Sequence, residues 1–253
     1  KSFFEAVQAT WRDRTSILGY YNDFSKTYNE TEFLKRLYDA SYKENHINIM
    51  VLDELNISRI EYYFADFLSV LEYPEDEWKI KIMQFPYDFE APEHLTDGIL
   101  KIPSNTYFIG TANKDESTFT ITDKVYDRAI SIFFDDKGRA FEAEDQDARH
   151  IPYSQIVSLY QDALSQYPIT ENRVSKFNEL DDFVIKKFHL AFGNRIRKQL
   201  ETFIPVYVCC GGTERGGYDF RFTNKVLKKF ESLNIAFLKD QLNQLLVKLD
   251  ELY

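Results

Sequence analysis

The chain has 253 residues, 44% hydrophobic and 16% aromatic, too apolar for a disordered tail and sufficient for one large domain or two smaller ones. A formal net charge of -10 excludes a surface that grips nucleic acid over its whole extent; DNA would have to be met by a local basic patch or another domain. No apolar run approaches the roughly 20 residues that span a bilayer, so no membrane partner is expected. The only cysteines, Cys209 and Cys210, are adjacent and match no metal spacing, which points to a reduced, cytoplasmic setting.

In chain order, residues 3–9 form a short apolar run suited to a strand. The spacing of Phe33, Leu34, Leu37 and Tyr38 predicts a helix over 31–40, with Thr31 as its N-cap. Residues 47–52 are nearly continuously apolar and end in acids, as a buried parallel strand does. An amphipathic helix is predicted over 59–72, carrying Ile60, Phe64, Phe67, Leu68 and Leu71 on one side. Residues 78–82 alternate strictly and suggest a half-exposed strand, with 99–102 as hairpin partner. Residues 106–111 and 130–134 read as further buried strands. Strands separated by helices imply a mainly parallel sheet with helices on both faces, hence an α/β fold.

Beyond about residue 135 the character changes. Residues 137–149 are polar and charged, a linker or surface excursion. Helices are predicted over 153–167, 171–188 and 193–210, the last broken or kinked at Pro205. Ile235, Leu238, Leu242, Leu245, Leu249 and Leu252 step by three and four, a stripe that packs within a helical subdomain. The scattered His46, His94, His150 and His189 form no zinc pattern.

Two segments carry the chemistry. The apolar strand ending Leu52-Asp53-Glu54-Leu55-Asn56 has the Walker B arrangement. The first acid at such a strand end helps hold magnesium through its water shell, and the second can polarise a water for attack on a terminal phosphate. The other segment, Ile109-Gly110-Thr111-Ala112-Asn113-Lys114-Asp115, ends a second strand in small residues and an amide. Ligands of parallel sheets bind at the C-terminal strand ends, where Asn113 can orient the attacking water or simply cap a loop. A third element, Arg128, closes a short helical stretch. On a rim it can neutralise phosphoryl charge in a neighbouring subunit; the alternative is a surface salt bridge.

The order Asp53-Glu54-Leu55-Asn56, Gly110-Thr111-Ala112-Asn113, Asp127-Arg128 resembles the AAA+ domain of McrB-type proteins, motor subunits of modification-dependent restriction systems. Trp11-Arg12-Asp13 and Leu18-Gly19-Tyr20-Tyr21-Asn22 upstream, and Cys210-Gly211-Gly212-Thr213, Asp219 and Lys225-Val226-Leu227 downstream, extend the resemblance over nearly the whole chain. It implies an AAA+ parallel-sheet core over 1–136, entered at its second strand and carrying a hairpin insert near 78–102. A mostly helical lid over 137–253 would follow. It also implies Asp53 on Mg2+, Glu54 activating water, Asn113 as sensor, Arg128 as a finger acting in trans, and Arg221 or Lys225 as a lid-borne second sensor. The nucleotide would be ATP or GTP, with ATP expected. The partners implied are further copies in a ring, a hexamer by expectation, a McrC-like nuclease subunit, and DNA through another domain or the ring pore.

After the sensor Asn the family has Thr-Ala-Asp-Arg-Ser, where this chain has Lys114, Asp115, Glu116 and Ser117. No Gly-x-x-x-x-Gly-Lys followed by Ser or Thr occurs, although backbone amides of that loop are what cradle phosphates. In the family it would precede Lys1, so the chain reads as trimmed at the front and is expected to hydrolyse nucleotide negligibly alone. A MoxR-like protein-remodelling ATPase and a catalytically silent AAA+ scaffold are the alternatives.

Overall fold

A computed structural model describes the chain except residues 1, 87–89, 135–136, 146, 148–149, 231–232 and 253, and the side chains of 195, 235 and 236. The protein is mixed α/β and divides into two compact units, Lys1–Ala129 with Asp147–Ser154, and Ile130–Gln146 with Gln155–Tyr253.

The first unit is built on a parallel sheet of three strands, β1 (Ser2–Ala6), β4 (Asn48–Asp53) and β8 (Thr106–Gly110), with β4 in the middle. Phe3 pairs with Met50 and Met50 with Phe108, while Phe4 pairs with Val51 and Val51 with Ile109. Side chains alternate across a strand, so these two rows occupy opposite faces. The Phe3–Met50–Phe108 face is the core. It packs with Phe33, Leu34 and Leu37 of α2 (Glu32–Ala40) and with Phe67 and Leu68 of α4 (Ala65–Val70). Thr31 caps α2 as expected, its hydroxyl accepting from the Leu34 amide at 3.1 Å.

The other face is more open, although Val51 in its centre is buried. Phe4, Tyr107 and Ile109 are 69%, 45% and 49% exposed, against the expectation of helices on both faces and of a fully buried 106–111 strand. The apolar run of 106–111 reflects alternation between a covered face and an open one.

The helix expected over 59–72 is interrupted. Its first turn, α3 (Ile60–Tyr63), ends at Phe64, which leaves helical geometry at φ -110°, ψ 12° before α4 begins. Phe64 is buried and stacks on Phe67 with ring centroids 4.5 Å apart, so ring packing outweighs helix continuity here. Two shorter strands, β2 (Tyr20–Asn22) and β3 (Thr27–Asn29), form an antiparallel ribbon. The expected hairpin partners pair as β5 (Lys79–Lys81) and β7 (Ile99–Lys101), with Ile80 opposite Leu100. A third strand, β6 (Leu95–Thr96), joins β7 through Asp97-Gly98, both at positive φ, the Asp-Gly signature of a tight hairpin turn.

Residues 130–134 do not form the expected strand. Ile130, Ile132, Phe133 and Phe134 are 58%, 66%, 47% and 89% exposed, and none joins a ladder. Strand propensity does not supply a partner, and an apolar run without one stays irregular.

The second unit is helical. It comprises α6 (Tyr153–Gln166, entering from the first unit), α7 (Glu171–Phe188), α8 (Gly193–Cys209), α9 (Glu214–Arg221), a π-helical turn (Phe222–Leu227), α10 (Lys228–Phe230) and α11 (Lys239–Leu252). α8 runs through Pro205 without ending, so of the two expected outcomes the break does not occur. The core joins Phe177, Leu180 and Val184 of α7 to Ile196, Leu200 and Ile204 of α8 and to Leu245 and Leu252 of α11. The leucine stripe of α11 thus packs inward as predicted, with Leu242 and Leu249 partly buried; the Ile235 side chain lies outside the described residues. Among the described residues no helix is long and apolar enough to cross a membrane.

Candidate functional site

The C-terminal ends of β4 and β8 lie side by side because these strands are parallel neighbours, Leu52 opposite Gly110. Asp53 is the last residue of β4, and Glu54 turns the chain sharply, in the left-handed region at φ 53°. Both are exposed. What holds them is Thr111, one residue past β8. Its hydroxyl donates to Asp53 Oδ1 at 2.6 Å and accepts from the Glu54 amide at 2.9 Å. Its own amide donates to the Leu52 carbonyl at 3.0 Å, and its carbonyl accepts from the Leu55 amide at 2.8 Å. Four hydrogen bonds from one residue stitch the two strand ends together.

Gly110 permits that closeness. A Cβ there would sit 2.0 Å from Leu55 Cδ2, so Leu55 packs over the β8 backbone where a side chain would stand. Tyr63, buried, donates its hydroxyl to the Leu55 carbonyl at 2.8 Å. Burial pushes the Tyr63 phenol pKa well up, keeping it a neutral donor.

Asn113 is held through its backbone. The buried Asn56 amide donates to the Asn113 carbonyl at 2.7 Å and to the Phe119 carbonyl at 3.1 Å, and the Asn56 carbonyl accepts from the Phe119 amide at 2.8 Å. Asp115 closes the loop by accepting from the Ser117 hydroxyl at 2.7 Å and amide at 3.0 Å, bonds that hold its carboxyl below the usual pKa. Asn113 itself is exposed. Asp53, Glu54, Thr111 and Asn113 therefore belong to one loop cluster at one end of the sheet. Sequence reasoning had assigned no role to Thr111 or Asn56: both sit inside the motifs, but their bonds depend on the sheet register.

Arg128 follows α5 (Asp123–Tyr126), which is anchored by the Thr122 amide and hydroxyl donating to Glu61 Oε1 at 3.3 and 2.6 Å. The Arg128 guanidinium donates to the Leu68 carbonyl and forms an ion pair with Glu72, its side chain only 18% exposed. It is thus engaged within its own chain, by Glu72 and the Leu68 carbonyl. Arg221 and Lys225 lie in the helical unit, 2% and 3% exposed, in its interior.

The oxygen donors at the β4–β8 ends, two exposed carboxylates and a hydroxyl, are the hard ligands that suit magnesium. Among the described residues no group of three or more His, Cys, Asp or Glu side chains that could hold a metal ion occurs. A scan against protein-family models and a search of the curated proteins return no match.

Proposed function

We propose that this chain is the hydrolysis-bearing part of an AAA+ nucleoside triphosphatase of the McrB type, working in a ring that acts on DNA. One observation supports it above the rest: the Asp53-Glu54 pair and the Gly110-Thr111-Ala112-Asn113 turn close the C-terminal ends of adjacent parallel strands, bridged by the Thr111 hydroxyl. Two sequence segments about 57 residues apart by the spacing of that bridge meet where parallel sheets bind ligands.

In this reading Asp53 holds Mg2+, which when bound gathers the phosphate oxygens of ATP or GTP. Glu54 accepts the proton of the attacking water, and Asn113 orients that water. Thr111 is a positioning residue that fixes one Asp53 oxygen. Arg128 would exchange Glu72 and the Leu68 carbonyl for the phosphate of a neighbouring subunit. A McrC-like nuclease partner rests on the resemblance alone. A second reading, a catalytically silent assembly module, is favoured by Arg128 being neutralised in cis.

Mn2+ with ATP or GTP, added to the isotopically labelled chain, tests the proposal by paramagnetic broadening. Broadening confined to amides near 53–56 and 111–113, and lost in Asp53→Asn, is expected. Broadening spread over the acidic surface, or unchanged in Asp53→Asn, rejects the motor reading.

A further inference from the structure

The helical unit contains a cavity of about 280 Å³ walled by Phe177, Leu180, Ile196, Leu200, Val226 and Leu249. That is close to the lower end of the size range of small-molecule sites, roughly 300–1,000 Å³. Its wall also includes Arg221, the last residue of α9, where the chain passes into the π-helical turn. Turns of that kind recur at functional sites because they displace side chains from the regular helical stripe.

Arg221 is 2% exposed and under-compensated. Its Nη2 donates to Gln199 Oε1, and its guanidinium lies over the Phe203 ring at 5.3 Å, but Nε and Nη1 have no hydrogen-bond partner. Of the other charged residues lining the cavity, Asp219 pairs with Arg215 at 3.9 Å, and neither Asp219 nor Asp250 hydrogen-bonds to Arg221. Burial lowers the Arg221 pKa from its ordinary value, as expected for a cation whose water is not fully replaced. A buried guanidinium with spare N–H groups beside an apolar cavity wants an anion with an apolar body. A phosphate dianion would need several free donors, whereas of the two cations in the wall Arg215 is paired with Asp219 and Arg221 carries the spare N–H groups.

We infer that the cavity of the helical unit is a binding site for a small monocarboxylate with an aromatic or aliphatic body, its carboxylate paired with Arg221.

Calorimetric titration of the 253-residue chain with phenylacetate, 4-phenylbutanoate and octanoate, and with 4-phenylbutanamide as the neutral control, tests the inference. At least one acid is expected to bind more tightly than about 1 mM, with the amide weaker by about tenfold or more, the worth of a charge-assisted hydrogen bond. Arg221→Met should lower the acid's affinity by about tenfold while leaving the amide's unchanged. Leu249→Phe, which fills part of the cavity and keeps Arg221, should abolish both and serves if Arg221→Met does not fold. Binding of none of the acids below about 1 mM, as for a cavity holding only water, overturns the inference. So does acid binding that survives Arg221→Met, or Leu249→Phe where that variant decides.

Discussion

Gly110→Ala should destabilise the first unit through a single contact, and a second substitution should remove the penalty. The new methyl would sit 2.0 Å from Leu55 Cδ2 and 3.2 Å from Cγ, so Leu55 must swing off the strand. Leu55 is 9% exposed and packed in the core of the first unit, and forced repacking of this kind costs about 1–3 kcal/mol. Leu55→Ala alone should cost about 2–3 kcal/mol, low in the range for Leu→Ala because the site lies near the surface. In the double variant the clashing atoms are gone, since Leu55 Cβ lies at an ordinary 3.5 Å from the added methyl. The double variant should therefore be no less stable than Leu55→Ala alone, a coupling of about 1–3 kcal/mol. Urea unfolding followed by tryptophan fluorescence measures it within one unit, because Trp11 and Trp78 both belong to the first. Costs that add within about 0.5 kcal/mol would show that Leu55 does not lie on the Gly110 backbone, and the close approach of the two strand ends would fall with it.

Thr31→Ala should lower stability by about 1–2 kcal/mol in the same assay, since the hydroxyl both accepts from Leu34 and donates to the Ile17 carbonyl; a loss under about 0.3 kcal/mol contradicts the cap. The Asp115 carboxyl, followed by carbon NMR, should titrate below the ordinary aspartate range, and Ser117→Ala should raise it. Because the folded value is the lower one, Asp115's contribution to loop order is complete above the unfolded pKa and fades as pH falls through the folded pKa. A midpoint unmoved by Ser117→Ala contradicts the assigned cause.

The elements legible in the sequence were those whose signal is local. Thr31 and the apolar spacing behind it specify α2, and the run 47–52 specifies the central strand. What escaped depends on partners. Residues 130–134 have the composition of a strand yet lie exposed, because composition cannot say whether a neighbouring edge is available. The break at Phe64 comes from an aromatic cluster assembled across Phe33, Phe67 and Phe108, which no local window contains. In the site, Asp53, Glu54 and Asn113 were visible as motif residues. The Thr111 bridge was not, since it exists only once Leu52 stands beside Gly110. Arg128 was visible as a cation near a helix end, but its pairing with Glu72 joins segments that only the fold brings together.

Glu54 is where local preference and fold conflict, and the conflict can be measured. An L-residue other than Gly, Asn or Asp in the left-handed region costs roughly 1 kcal/mol or more. The conformation is nevertheless fixed from both sides: the Glu54 amide donates to Thr111, the Glu54 carbonyl accepts from the Ile57 amide at 2.9 Å, and the Leu55 amide donates to the Thr111 carbonyl. A loop selected for stability alone would carry Gly or Asn here. Strained backbone held by its surroundings clusters at functional sites, where the side chain justifies the cost. Glu54→Asn should thus be neutral or stabilising by up to about 1 kcal/mol, and Glu54→Val, β-branched and intolerant of this φ, destabilising by more than about 1 kcal/mol. If Glu54→Asn instead lost about 1 kcal/mol, the carboxylate would be contributing to the fold itself. The case for reading Glu54 as a residue kept for chemistry would then have no physical basis.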